Sequence, residues 1–261
     1  LQNVSQLYND IISSQNHWFE VSLAIGESGR LITEKSEVLY FGNTAILVDS
    51  GGAESAFRED ILLSLSTTHS VFNEEHPTVG SAISGEIYLE MLKPTASIPK
   101  RARLVPFVRV TDGTRYSEWL QKGVYYVDTR EISHNSNGLD IIKIHGYDAM
   151  LFFEVNYPSD SLNDYPMLDT DMVTFLANSV NISVDARTYE RMDKGYTFPL
   201  PAGYSSREVL GIIAASYGGN FVVSDEGQLL LIRLADLPKE TNYLVSEVGD
   251  VLLFGTDRIL V

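Results

Sequence analysis

The chain has 261 residues, 44% hydrophobic and 21% charged, which suits a folded globular protein of one extended or two compact domains and excludes a disordered chain. Its 19 Lys and Arg against 35 Asp and Glu leave a formal net charge of −16, which argues against specific nucleic-acid binding and a grip on phosphate backbones. No cysteine is present, so disulfide frameworks and thiolate metal sites are excluded, and no run approaches the roughly 18 apolar residues of a membrane span.

Leu1 in place of methionine reads as a processed or artificially set start. Val4, Leu7, Tyr8, Ile11 and Ile12 then fall on one helical face, with Asn3 and Gln6 as a cap pair, so a short helix opens the chain. From Trp18 to Ile25 the pattern turns to β-formers, Gly26-Glu27-Ser28-Gly29 reads as a turn, and 38–41 and 45–48 continue as short strands. Ile61 to Ser66 alternates, and Ser84 to Leu92 places Ile87, Leu89 and Met91 on one face with Glu86, Tyr88 and Glu90 on the other. Ala102 to Thr111 is apolar-rich, and its Pro106 predicts an edge strand or a bulge. Gly123 to Ile132 and Leu139 to His145 flank a hairpin turn that ends in Asn137-Gly138. Six to eight short strands up to about residue 147 have the spacing of a small antiparallel barrel or sandwich.

At Tyr147 the period changes from two to 3.6. Asp148 leads a short helix as its capping aspartate, and Thr170 to Val180 forms another with Met172, Phe175, Leu176 and Val180 inward and Asp169 or Thr170 as cap. A third helix starts at the capping-box pair Ser205 and Glu208, runs through Val209, Ile212, Ile213 and Tyr217, and stops at Gly218-Gly219. Two β runs joined at Asp225-Glu226-Gly227 follow it. The fold class expected is therefore α+β, mainly β: a small barrel or sandwich followed by a helix-containing module.

Catalytic signatures are missing: the sequence holds no HExxH, GxSxG, GxxxxGK[ST] or GxGxxG. His69 and His76 lie near Asn73, Glu74 and Glu75, but a solvated polar turn accounts for them better than a metal loop does. Glu118 beside Trp119, and Asp128 with Glu131, are the carboxylates best suited to sugar hydrolysis, although a chain with 35 acids places such neighbours together by chance. The sequons at Asn3 and Asn181 have no secretory signal to support them. No catalytic, cofactor-binding or metal residues, no cofactor and no enzymatic activity are expected.

The order of capped helix, glycine pair, strand, Asp-x-Gly turn and strand over 204–232 resembles the helical module of bacteriophage tail hub proteins. Three further segments are similar to strands of that family's first barrel: Val79 to Ile87, Glu118 to Asp128 with its Gly123-Val124-Tyr125-Tyr126 core, and Ile141 to Leu151 with Asp148 at the exit into a helix. The resemblance runs from about residue 55 to 235 and rests on the order of short motifs. It implies a barrel-like domain with an N-terminal helical extension at 1–147, a helical module with hairpin at 148–245, and at 246–261 the start of a second barrel, on which trimer formation would depend. It further implies a structural baseplate hub-like protein of a phage or prophage, assembled in the bacterial cytoplasm and placed at the virion tail tip. There it would join the tail tube to the host-facing end and line a DNA passage. Its partners would be further copies in a trimer and the tail-tube, distal-tail and tape-measure proteins, met through the strands Ser84–Leu92, Ala102–Thr111 and Gly123–Ile132. The alternative from another class is a carbohydrate-active enzyme or glycan-binding β module.

Overall fold

A computed structural model describes residues 4–26, 40–41, 44–45, 55–58, 60–72, 76–95, 97–134, 138–158, 164–236, 253–254 and 257–258. In chain order the strands are β1 (Trp18–Gly26), β2 (Tyr40–Phe41), β3 (Thr44–Ala45), β4 (Ser55–Phe57), β5 (Leu62–Thr68), β6 (Glu86–Leu92), β7 (Arg103–Thr111), β8 (Leu120–Gln121), β9 (Tyr125–His134), β10 (Asp140–Asp148), β11 (Met167–Leu168), β12 (Thr197–Phe198), β13 (Gly219–Val223), β14 (Leu229–Arg233), β15 (Leu253–Phe254) and β16 (Asp257–Arg258). The α-helices are α1 (Gln6–Ile12), α2 (Asp169–Ser179), α3 (Ala186–Arg191) and α4 (Ser206–Ser216), and a 3-10 helix spans Ala149–Glu154. The fold is α+β and mainly β. Residues 27–29 of the expected turn, the outer parts of the runs at 38–41 and 45–48, Asn73 to Glu75, the turn at 135–137 and most of 246–261 lie outside the described residues.

One antiparallel sheet dominates, in the order β4-β1-β7-β9-β10-β6-β5 with β8 also on β7. It is not closed into the expected barrel: no pairing joins β4 to β5 among the described residues. It is nonetheless curled. Seven flat strands would separate the outer two by roughly 29 Å, whereas the chain between Phe57 and Leu62 reaches at most about 18 Å. The strands expected to meet neighbouring subunits, β6, β7 and β9, are interior strands with partners on both sides. Pro106 likewise sits in an interior strand, opposite Leu23 of β1. Its carbonyl accepts from Lys122 N at 2.8 Å, on the side where β8 and β9 each cover only part of β7, so its missing N–H falls in a gap of the ladder.

Alternation sorts the sheet's side chains into two cores. Leu23, Ile87, Leu89, Leu104, Tyr125 and Ile144 fill the concave interior. Ala24, Val105, Val124 and Tyr126 face the other way and join the larger core of the helical module, with Met150, Phe153, Leu176, Leu210, Phe221 and Leu231. The 81–83 segment runs parallel to β13, with Phe221 N donating to Ser81 O at 2.9 Å and Ile83 N to Phe221 O at 2.7 Å.

Local signals account for most of the helix ends. Ser205 accepts from Glu208 N while Glu208 accepts from Ser205 N at 2.7 Å, the reciprocal capping expected of that pair. Gly218, at φ 64°, ends α4; Gly219 already belongs to β13. Ile212, one of the residues that recur at helical spacing, is exposed, and Leu210 and Ala214 take the buried face with Val209 and Ile213. The cap of α1 is Ser5, whose hydroxyl accepts from Tyr8 N at 3.1 Å, in place of Asn3. The N-cap position of α2 is Leu168, without a side-chain cap, because Asp169 already stands inside the first turn. The short α3 was not expected; six residues leave no periodic apolar pattern to read.

Candidate functional site

The carboxylates singled out in the sequence are used within the fold. Glu118 accepts from Ser5 N at 2.7 Å and Ser5 Oγ at 2.6 Å, clamping the cap of α1 to the sheet, and these bonds hold its carboxyl below the usual range. Trp119 is no open platform, because the Arg109 guanidinium lies 4.5 Å from its ring centre and pairs with Glu20 at 2.5 Å. Asp128 is the extra residue at the bulge where β9 shifts register against β10, and it pairs with Arg101 at 2.6 Å. Glu131 stands opposite Lys143 in the same ladder.

His69 is drawn to the end of the sheet. Its Nε2 meets the Tyr125 hydroxyl, and burial lowers its pKa below the ordinary imidazole value. His76 is exposed, and between the two the residues 73–75 lie outside the described set. Asp148, as expected, caps the turn that follows it, accepting from Met150 N at 2.9 Å. It also accepts from Gly85 N at 2.6 Å and Ser84 Oγ at 3.1 Å, a tie to the residues just before β6 that nothing in the sequence announced. A Cβ at Gly85 would stand 3.0 Å from His69 Nδ1 and 3.1 Å from Asp148 Oδ2, so any larger residue would press on both side chains. Burial is the first cause that raises the Asp148 carboxyl to about 6, against the opposing pull of its N–H donors. A cavity of about 260 Å³ lies beside it, lined by His69, Gly85, Asp148, Asp225 and the β13–β14 hairpin. Its carboxylate is taken up by the Gly85 and Met150 N–H groups and the Ser84 hydroxyl, which joins the turn to the sheet. Among the described residues no group of three or more His, Asp and Glu is placed to hold a metal ion, and no helix is long and apolar enough to cross a membrane.

A larger open groove crosses the seam between sheet and helical module. One part, about 720 Å³, is lined by Val79, Tyr204, Ser205, Glu208 and the exposed side of α4; the other, about 390 Å³, by Ser84, Glu86, Tyr147 and Leu151. They meet at Glu154 and Arg207, which are ion-paired, and Arg207 Nε also donates to Ala82 O at 2.7 Å. Sequence reasoning missed this constellation because its members come from four separate elements and form no motif.

No protein-family model and no curated protein matches the sequence. Among solved structures, the fold is similar to the 43 kDa tail protein of prophage MuSo2 from Shewanella oneidensis, with TM-score 0.53 and 15% identity over 88% of this chain and 60% of that one. The tail protein from Neisseria meningitidis MC58 gives TM-score 0.46 and 14% identity over 92% and 56% of the two chains. The PdpA–VgrG complex of Francisella gives TM-score 0.35 and 10% identity over 71% and 23%. The chain thus has the fold of a prophage tail protein and spans less than two thirds of the length of the tail proteins it matches.

Proposed function

We propose that this chain is a non-enzymatic structural subunit of a phage or prophage tail, a baseplate hub-like piece at the tip. It joins the tail tube to the host-facing end, with distal-tail and tape-measure proteins as neighbours. The observation that carries this reading is the likeness of fold to the Shewanella prophage tail protein over 88% of the chain. In this arrangement residues 1–147 form the barrel-like unit, 148–245 the helical module, and 246–261 begin a second barrel. Copies associate in a trimeric ring. The net charge of −16 favours a lumen that lets DNA pass without holding it. The strand β5 offers a means of assembly, since Leu62-Leu63-Ser64-Leu65-Ser66-Thr67-Thr68 lies at the sheet edge and carries no charge or proline to block pairing.

Sedimentation of the chain alone and mixed with its tail-tube partner, with antibody labelling of intact tails in electron micrographs, tests the reading. Association in the mixture and label at one end of the tail are expected. A monomer in every mixture together with unlabelled tails would overturn it.

A further inference from the structure

The groove across the seam has a chemistry that the structural role does not use. On the sheet face leading into it, Tyr88 of β6 and its register partner His145 of β10 stack with ring centres 4.3 Å apart and planes 12° from parallel. The Tyr88 hydroxyl donates to Glu86 Oε2 at 2.7 Å, and His145 Nε2 reaches the same oxygen at 3.2 Å. The tyrosine is therefore fixed from one side and at its tip. Its register partner on the other side is Ser66 of β5, too small to cover a ring, and Tyr88 is left 50% exposed. A large apolar ring held in place with an uncovered face binds at little ordering cost. His145 packs edge-on against Tyr147 at 4.6 Å, which carries the aromatic surface into the groove, and Tyr204, 48% exposed, stands in its other part.

We propose that this groove and the sheet face beside it bind an uncharged saccharide chain, with hexose or N-acetylhexosamine rings stacked on Tyr88 of the sheet face and Tyr204 of the groove and hydroxyls donating to Glu86 and Glu154. The mixed lining selects this class over the others. A phosphate chain would meet Glu86, Glu154 and Glu208, and a basic peptide, drawn by those carboxylates, would leave the tyrosine faces uncovered. An apolar helix would strand those same charges away from water. A polyol has donors for the carboxylates, acceptors for the guanidinium and a C–H face for each tyrosine. The proposal does not rest on the assembly reading, and either can fail without the other.

The experiment is an NMR titration of the isotope-labelled chain with N-acetylglucosamine tetramer and with cellotetraose, using octalysine as the competing class. Saturable shifts confined to the groove and the sheet face beside it are expected with at least one tetrasaccharide at roughly millimolar concentration, the range of weak recognition. Tyr88→Ala and Tyr204→Ala should each weaken binding by about tenfold, while Tyr88→Phe, which keeps the ring face, stays within about threefold of the parent. Both tyrosines are exposed, and a melting curve for each variant confirms that it folds. The proposal is overturned by silence from both tetrasaccharides up to about 10 mM. Preferential binding of octalysine would also overturn it, as would saccharide shifts that persist unchanged in folded Tyr88→Ala.

Discussion

The curled sheet and the helical module are held together over different distances along the chain. In the sheet Leu23 pairs with Pro106, and Gly85 is tied to Asp148. In the module Ser205 caps a helix through Glu208, and Val223 pairs with Leu229 across a tight turn. Stability in the first region depends on loop closures that the sequence does not announce, and in the second on neighbours that it does. The contacts between the two regions belong to the first kind. Asn220 shows this: on β13, 1% exposed, it donates from Nδ2 to Val71 O at 2.8 Å and Thr78 O at 2.6 Å, and its Oδ1 accepts from Ser81 N at 2.9 Å. Asn220→Ala leaves three part-buried backbone groups without partners, and the expected loss is about 3 kcal/mol, near 1 kcal/mol for each. Chemical unfolding measures it. A loss of a few tenths would mean that the seam is not closed by this side chain and that the two regions are less coupled than their shared core requires.

How much was legible in the residues follows the same division. The α4 capping box, the Asp225-Glu226-Gly227 hairpin turn and the inward row Ile87, Leu89 and Met91 were readable because each rests on spacings of two to four residues. Pro106 was misread as an edge or a bulge because the gap that receives it is made by β8 and β9, whose pairing with β7 no local pattern reveals. The openness of the sheet was also invisible, since strand count does not fix whether the first and last strands meet. Glu118 beside Trp119 suits sugar hydrolysis by adjacency alone, and adjacency in sequence says nothing of Ser5 and Arg109, the residues that occupy them.

Asp148 belongs to both regions, as a cap within its own turn and as a tie to Ser84 and Gly85 just before β6, and pH separates the two roles. A carboxylate serving only as a cap has a depressed folded pKa, and its contribution is lost as pH falls. Burial raises Asp148 to about 6 in the fold against an ordinary value of 3.8, so the folded state binds the proton more tightly than the unfolded chain does. Its contribution to stability is therefore complete below about pH 4 and declines as pH rises from there to about 6. Asp148→Asn, which cannot titrate, is expected to cost about 2 kcal/mol at the acid end through a lost backbone partner. The difference from the parent should shrink as pH rises through that window. Carboxyl NMR should place the Asp148 midpoint near 6. A variant most damaged at neutral pH would show that the cap, not burial, governs the group.

The smallest expected effect gives the sharpest test, because local and long-range terms there have opposite signs. Gly211 lies in the middle of α4, and by helix propensity alone Gly211→Ala should stabilise by about 1 kcal/mol. The backbone of Gly80 passes so close, however, that an added Cβ would stand 2.7 Å from Gly80 O. Gly80 holds φ 90° and is itself pinned, its N–H donating to Gly219 O at 2.8 Å, so the loop has little freedom to retreat. Overpacking of this kind costs typically 1–3 kcal/mol, so the two terms leave a net loss of about 1 kcal/mol. Exposed Ile212, next to it on the same helix, supplies the control: Ile212→Ala has no such contact to break and should be neutral or slightly stabilising through propensity. Melting curves of the two variants decide the matter by sign. Stabilisation by both would mean that α4 is set by its own sequence and that the 80–81 segment yields to it. Loss in Gly211→Ala alone would mean that a contact made across the seam, and unreadable in the helix, determines which residue the helix can carry at that position.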